Sequence, residues 1–398
     1  MLGPFDKTEK KYTVKQQFRS FTTKKEQTMG VVLFLAVLAV LIAFHEFGHY
    51  LFAKLFGVRV IRFSIGFGPV LLSKKYGETE YAISLLPLGG YVQMWGENMP
   101  LETGKDTDVE SFGPERKFEA KPIWQRFIIL VAGPLFNLLL AAILFCSAYA
   151  YYGVPSFSNV VGAVVPNGPA ERAGIKAGDA ILQVAVVEEG AEVSAYGGLL
   201  KEWKDVSESL RGSGRNEMQI RISRDGNDFF VRVKPEKIIV TSSNGKMESY
   251  IGIGVSPALP MYDHNPVRGV VHGLRETWKF TELTANGLWS IATGKLSAKE
   301  SVGGPIMIAG AVSEANTNGG FFGVMMISAL LSINLFILNL LPIPMLDGGQ
   351  LPFLLIEKLR GHPVSFETQI KFRVVGLILL GALMIFAFIN DILRLFGG

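Results

Sequence analysis

Long apolar runs alternate with polar stretches along this chain, and the alternation predicts its elements. Three runs, 124–152, 321–341 and 374–388 with its flanks, can cross a bilayer core of roughly 30 Å, which takes about 20 helical residues. A fourth run, 30–56, reaches that length only if its helix continues through His45, Glu46 and His49. The expected spans are therefore 29–57, 123–153, 320–349 and 372–396.

The polar stretches are not uniform. Within residues 58–122, "RFSIGFGPVLLSKKYGETEYAISLLPLGGYVQM" from Arg62 has β-rich runs cut by glycine turns, which predicts a hairpin or small sheet associated with the membrane. Residues 99–121 are polar and expected to be irregular. Residues 158–237 read as strand, Gly-Pro turn, short helix, Gly-Asp turn, strand, helix and two strands about "RDGND". That order, with "GPAERAGIKAGDAI", resembles a PDZ domain of the kind found in bacterial proteases. The stretch 186–201 departs from it, standing where a short turn is expected. In the connector 238–300, residues 266–294 have amphipathic helical spacing and two tryptophans. Such a helix can lie at the membrane surface or pack on the outer domain. The expected fold class is an α-helical polytopic membrane protein with four transmembrane helices, a membrane-associated β-hairpin or sheet, and an inserted PDZ-like α+β domain.

Composition agrees with a mixture of membrane and water-exposed parts: 398 residues, 19% charged, 49% hydrophobic. The single cysteine, Cys146, excludes an intrachain disulfide. Residues 1–28 hold seven Lys/Arg against three Asp/Glu, leaving 32 of each elsewhere, a balance that argues against nucleic-acid binding. Met29 stands just before the first apolar run, so the natural start is either Met1 or Met29, and residues 1–28 are read as a basic extension without catalytic role.

The chemistry sits in "HEFGH". Residues four apart on a helix point about 40° from one another, so His45 and His49 can share a metal ion. Glu46, one step on, can reach a water at that metal. An ionisable group at the centre of a membrane helix costs about 2.5–3.5 kcal/mol, and three together without a function would be hard to retain. Catalytic zinc takes three protein ligands and leaves one position open. Asp347 in "LNLLPIPMLDGGQL" is the candidate third ligand, carried by backbone that Pro342 and Pro344 take out of helix. His45 lies about 22 Å into its span at 1.5 Å per residue, and Asp347 reaches a similar depth from its own. His264, His272 and His362 are weaker candidates.

HEFGH in a first membrane helix, "LDG" in a later one, "GYV" in the intervening loop, "AGPLFN" in the second helix and the inserted PDZ-like domain together resemble the site-2 protease family, in particular the bacterial members that cut anti-sigma factors, of the single-PDZ type. The resemblance covers nearly everything from Met29 onwards. It implies a Zn2+ metalloendopeptidase with His45, His49 and Asp347 as ligands and Glu46 as the acid/base. It places Asn137 near the substrate backbone. The β-rich run with "LGGYV" separately suggests that a strand edge carrying Gly89, Gly90 and Tyr91 captures an unwound substrate by β-addition. Implied partners are the lipid bilayer, single-span membrane proteins such as an anti-sigma factor, remnant signal peptides, and an upstream site-1-type protease. The implied location is the bacterial inner membrane, with the PDZ-like domain outside and the zinc half towards the cytoplasm.

Two other readings stay open at this point: a membrane-anchored zinc protease acting on soluble or misfolded proteins at the membrane surface, and a non-catalytic PDZ scaffold. From its residue type alone, Asn137 is equally well an interhelical hydrogen-bonding residue.

Overall fold

The computed structural model describes residues 24–96, 113–187, 198–241, 247–297 and 303–396. Most of the basic extension, residues 99–112 of the stretch expected to be irregular, and residues 188–197 of the departure from the PDZ pattern lie outside these. The chain divides into two compact units, one formed by 22–151 with 269–398 and the other containing 152–268.

In the first unit, four helices are long and apolar enough to cross a membrane: α1 (Lys24–Leu55), α2 (Ile123–Tyr152), α6 (Pro305–Leu340) and α8 (Phe366–Phe396). Runs of this kind become helices because hydrocarbon offers the backbone no partner, so N–H and C=O groups must pair within the segment. Helix α2 carries Pro134 in its interior without ending there. Helix α6 consists of two helical stretches. It begins at Pro305 and breaks at Gly320 (φ 55°, ψ −142°), where the span was expected to start. Glycine fits that backbone because a positive φ costs it little. Val37 and Leu41 of α1 share a core with Leu140, Val312 and Val324. The outer face of α8 leaves residues such as Leu377, Ile378 and Ile385 more than half exposed, an apolar surface suited to lipid.

Two long strands, β1 (Val60–Tyr76) and β2 (Thr79–Met94), follow α1. Each bends back on itself, since Arg62 pairs with both Gln93 and Glu80, and Ile65 with both Gly90 and Ile83. The result is a four-segment sheet in the order 90–94, 60–65, 79–86, 70–76. Gly66 and Gly68, with φ of 95° and 83°, supply the bend in β1. Glu78 at the turn between the strands is tied back by Lys54 (2.5 Å) and Arg116 (2.8 Å). These cations hold the Glu78 carboxyl below its ordinary range although burial pulls it up.

The amphipathic segment forms α5 (Pro266–Ala292). It packs on α2 through small residues: a Cβ at Gly269 or Gly273 would stand 2.5–2.6 Å from the α2 backbone at Ala150 or Cys146. Phe280 stacks on Phe145 at 5.7 Å, while Trp278 and Trp289 are exposed.

The second unit contains β3 (Val154–Ser156), β4 (Val161–Val164), the short α3 (Pro169–Arg172), β5 (Ala180–Val186), α4 (Trp203–Gly212), β6 (Met218–Arg224), β7 (Asn227–Val233), β8 (Glu236–Thr241), β9 (Met247–Gly252), β10 (Val255–Pro257) and β11 (Met261–Asp263). Strands β5, β6 and β7 form an antiparallel sheet, and β10 pairs with β4, 91 positions away from Val164 at Val255. Ile181, Val206, Met218, Ile220 and Ile222 fill the core. Helix α7 (Leu351–Arg360), back in the first unit, links α6 to α8.

Candidate metal centre

His45 and His49 lie one turn apart on α1, both buried, with their Nε2 atoms 3.3 Å apart. A helix passes close enough to orient His49 because two glycines remove side chains from the crossing. A Cβ at Gly48 would stand 2.5 Å from the Ala132 carbonyl oxygen, and one at Gly133 would stand 2.1 Å from His49 Nε2. In that contact His49 Nδ1 donates to the Ile129 carbonyl at 2.7 Å. The bond fixes the proton on Nδ1 and leaves the Nε2 lone pair facing the site.

Asp347 arrives from the far end of α6. The helix stops at Leu340, and the backbone through Pro342 and Pro344 is irregular up to a 3-10 turn, Asp347–Gly349. The turn folds back onto the helix end. A Cβ at Gly348 would be 2.4 Å from Leu340 backbone atoms, and one at Gly349 would be 2.2 Å from the Ile343 carbonyl oxygen, so only glycine fits at either place. Met345, at φ 77°, completes the reversal. Asp347 Oδ2 thereby stands 3.0 Å from His45 Nε2 and 3.4 Å from His49 Nε2.

This constellation fits a metal. Two imidazole nitrogens and a carboxylate oxygen, mutually within 4.8 Å, form the one such group among the described residues. Asp347 Oδ2 is buried and has no hydrogen-bond partner there. Three lone-pair atoms converging without a donor repel unless a cation sits between them. Two His and one carboxylate are a donor set that zinc accepts, with a fourth position left for water or substrate.

His45 Nδ1 faces the Asn137 amide at 3.1 Å. Asn137 Oδ1 is otherwise buried without a partner, so the amide orientation that puts Oδ1 on Nδ1–H satisfies both groups and frees His45 Nε2 for a metal. Asn137 is fully buried, and its own backbone carbonyl accepts from Ser332 Oγ at 2.7 Å. Its side chain is thus engaged with a ligand histidine.

Glu46 is buried beside the pair and accepts a backbone N–H from Val92. Gly90 lets this strand approach, since a Cβ there would be 2.9 Å from Glu46 Cγ. Gly89, Gly90 and Tyr91 line a cavity of about 840 Å³ that also reaches His45, Glu46 and Asp347. Phe67 covers Gly89 and stacks on Tyr91 at 6.1 Å.

The remaining histidines are elsewhere: His272 meets Tyr149 edge-on, His264 lies beside Tyr262, and His362 is exposed. Sequence reading missed Asn339, whose Nδ2 lies 3.5 Å from His45 Nδ1, although a polar residue in an apolar run is a signal of the same kind as His45. It also missed the Ile129 carbonyl, which carries no such signal, and the room that Gly133 of "AGPLFN" leaves for His49.

The model of peptidase family M50 matches residues 33–383. A Rickettsia conorii protein named as a zinc metalloprotease is 35% identical over 375 residues, covering 93% of this chain and 100% of its own. Zinc metalloprotease RasP of Geobacillus kaustophilus is 31% identical over 439 residues, covering 93% and 99%. The regulator of sigma-W protease RasP of Bacillus subtilis is 29% identical over 436 residues, covering 92% and 99%. With its buried two-histidine, one-carboxylate site, the chain belongs to peptidase family M50, the site-2 protease family, and is a zinc metalloendopeptidase.

Proposed function

We propose that this enzyme hydrolyses peptide bonds within the transmembrane segments of single-span membrane proteins, with anti-sigma-factor-like proteins and remnant signal peptides as substrate classes. The observation that carries the reading is the position of the site. His45, Glu46 and His49 lie inside Gly30–Leu55, a helix apolar enough to span, and the bond they face must come to them there. The sigma-W regulator from Bacillus subtilis supports the anti-sigma-factor class.

His45, His49 and Asp347 would hold Zn2+, which when bound polarises a peptide carbonyl and acidifies a water. Glu46 takes the proton of the attacking water and delivers it to the leaving amine. The Val92 N–H holds the Glu46 carboxylate on the cavity side. A helical substrate must unwind first, because its carbonyls are engaged in i to i−4 bonds. The strand segment Gly89–Tyr91 then offers backbone for strand addition beside the site.

The 158–237 region acts as a PDZ-like peptide-binding module or size filter, admitting stubs already trimmed by a site-1-type protease. A groove of about 410 Å³ between α4 and the Tyr250–Val255 segment, flanked by Arg211 and Arg215, supports a peptide ligand. The family resemblance carries the orientation, with the zinc half towards the cytoplasm and this domain outside. The basic residues are divided, ten Lys/Arg in loop 54–126 agreeing with it and seven in 1–28 opposing it.

The test is cleavage of a single-span reporter by wild type and Glu46→Gln, each with zinc measured. Loss of cleavage at full zinc content is expected. Equal cleavage by the two proteins would end the proposal.

A further inference from the structure

Helix α2 touches both histidines of the metal site along one face. Residues 126, 130, 133 and 137 fall within about 40° of a common direction at 3.6 residues per turn. Asn137 meets His45, Gly133 seats His49, and the Ile129 carbonyl beside this face orients His49. Asp347 is the ligand that α2 does not touch in this way. It comes from the other end of the chain, and its placement needs its own anchor.

Arg126 supplies one. Its guanidinium is buried and makes a two-pronged contact with Glu357 of α7, Nη1 to Oε2 at 3.0 Å and Nη2 to Oε1 at 2.5 Å. Nε donates to the Lys121 carbonyl at 3.0 Å, which fixes the plane of the fork. Glu357 is joined to Asp347 through short-range structure throughout. The 3-10 turn Asp347–Gly349 closes with Gln350 N–H on the Asp347 carbonyl at 3.0 Å, and α7 starts at the next residue. Leu354, one turn before Glu357, is buried with Ile129 and Leu130.

The two contacts differ in what they can specify. Leu354 binds α7 to α2, yet apolar contact is non-directional and tolerates sliding or rotation. A bidentate guanidinium–carboxylate pair fixes both separation and direction. We infer that Arg126 and Glu357 are positioning residues for the metal site: their partly buried ion pair sets the register of α7 on α2 and so holds Asp347 at the two histidines. The inference rests on the reading of His45, His49 and Asp347 as the zinc site.

The test is zinc release from the full-length, zinc-loaded protein in detergent, followed with an excess of chelator. The variants are Glu357→Gln and the double variant Arg126→Met/Glu357→Leu, which replaces the pair by apolar groups without stranding a charge. Zinc should leave both on the order of 10- to 100-fold faster than wild type, the range for lost outer support of metal ligands. The metal-free double variant should melt like metal-free wild type, and its cobalt-substituted absorption spectrum should change. Wild-type release from the double variant overturns the inference. So does faster release matched by a lower melting temperature of the metal-free protein, because the pair would then serve the fold at large. Asp347→Ala is measured alongside: wild-type zinc retention in that protein would sink the site itself, and the anchor with it.

Discussion

The Nδ1–H of His49 donates to the carbonyl of Ile129 at 2.7 Å, across the interface of two membrane-length helices. A backbone carbonyl in a helix has a second lone pair to spare, so α2 orients a ligand of α1 without giving up its own helical pairing. The contact exists only because Gly133 leaves the ring room.

Gly133→Ala should therefore displace the ring, since the added methyl would stand 2.1 Å from His49 Nε2. Zinc affinity is expected to fall by about 10- to 100-fold, as for other lost supports of a ligand. Zinc stoichiometry of the purified protein after dialysis against a metal buffer would show it. Full occupancy would mean that His49 is placed by α1 alone.

Gly90→Val acts on the other side of the site. Its Cβ would come 2.8–2.9 Å from Ile42, the Ser64 carbonyl and Glu46 Cγ. Zinc should be retained while cleavage drops by about 100-fold, the order of loss when a reacting group is misplaced by about 1 Å. The comparison to make is metal content against single-turnover cleavage.

Asn137→Ala separates two roles for a buried amide. If it orients His45, zinc is held about 10-fold less tightly. A residue serving the substrate backbone alone would instead raise KM at full zinc content. The 3.1 Å contact with His45 Nδ1 predicts the first outcome.

Asp391, almost fully buried near the end of α8, accepts the N–H groups of Gly304, Ile306 and Met307 at 2.9–3.1 Å and so caps the start of α6. Asp391→Ala leaves those donors without their acceptor and should destabilise the protein by about 1–3 kcal/mol. Thermal unfolding in detergent, with Asp391→Asn as the milder variant, reads this directly.

Asp179 predicts a pH dependence in the outer unit. Burial pulls its carboxyl upward, but Arg224 and the Lys176 N–H outweigh that and hold it below the ordinary value. A depressed folded-state value contributes stability above the unfolded value of about 3.9 and loses it as pH falls through the folded one. Hydrogen exchange in β5 and β6 should accelerate as pH drops below about 4, after correction for intrinsic exchange, and Asp179→Asn should flatten that dependence. An unchanged profile in Asp179→Asn would assign the effect elsewhere.

Much of the metal site was legible because its signals are local. HEFGH specifies two imidazoles on one helix face whatever the rest of the chain does, and Pro342 with Pro344 ends a helix by removing donors. The meeting with Asp347 followed from depth in the membrane. Asn339 carried the same kind of signal as Asn137, a polar group in an apolar run, and went unread only because its partner was not apparent. The break at Gly320 falls where the expected span starts; the helical stretch 305–319 before it went unread because it is less apolar than a span.

The sequence by itself determined the membrane-length helices, the paired histidines and the break before Asp347, because each rests on interactions within a few residues or on the demand of hydrocarbon that backbone groups pair locally. Only the tertiary structure decided which atoms support them. The Ile129 carbonyl, the room at Gly133 and the Arg126–Glu357 pair join positions 80 to 231 residues apart. Such contacts depend on how helices pack, and the use made of a carbonyl or of the room at a glycine leaves no mark in the sequence until a neighbour comes against it.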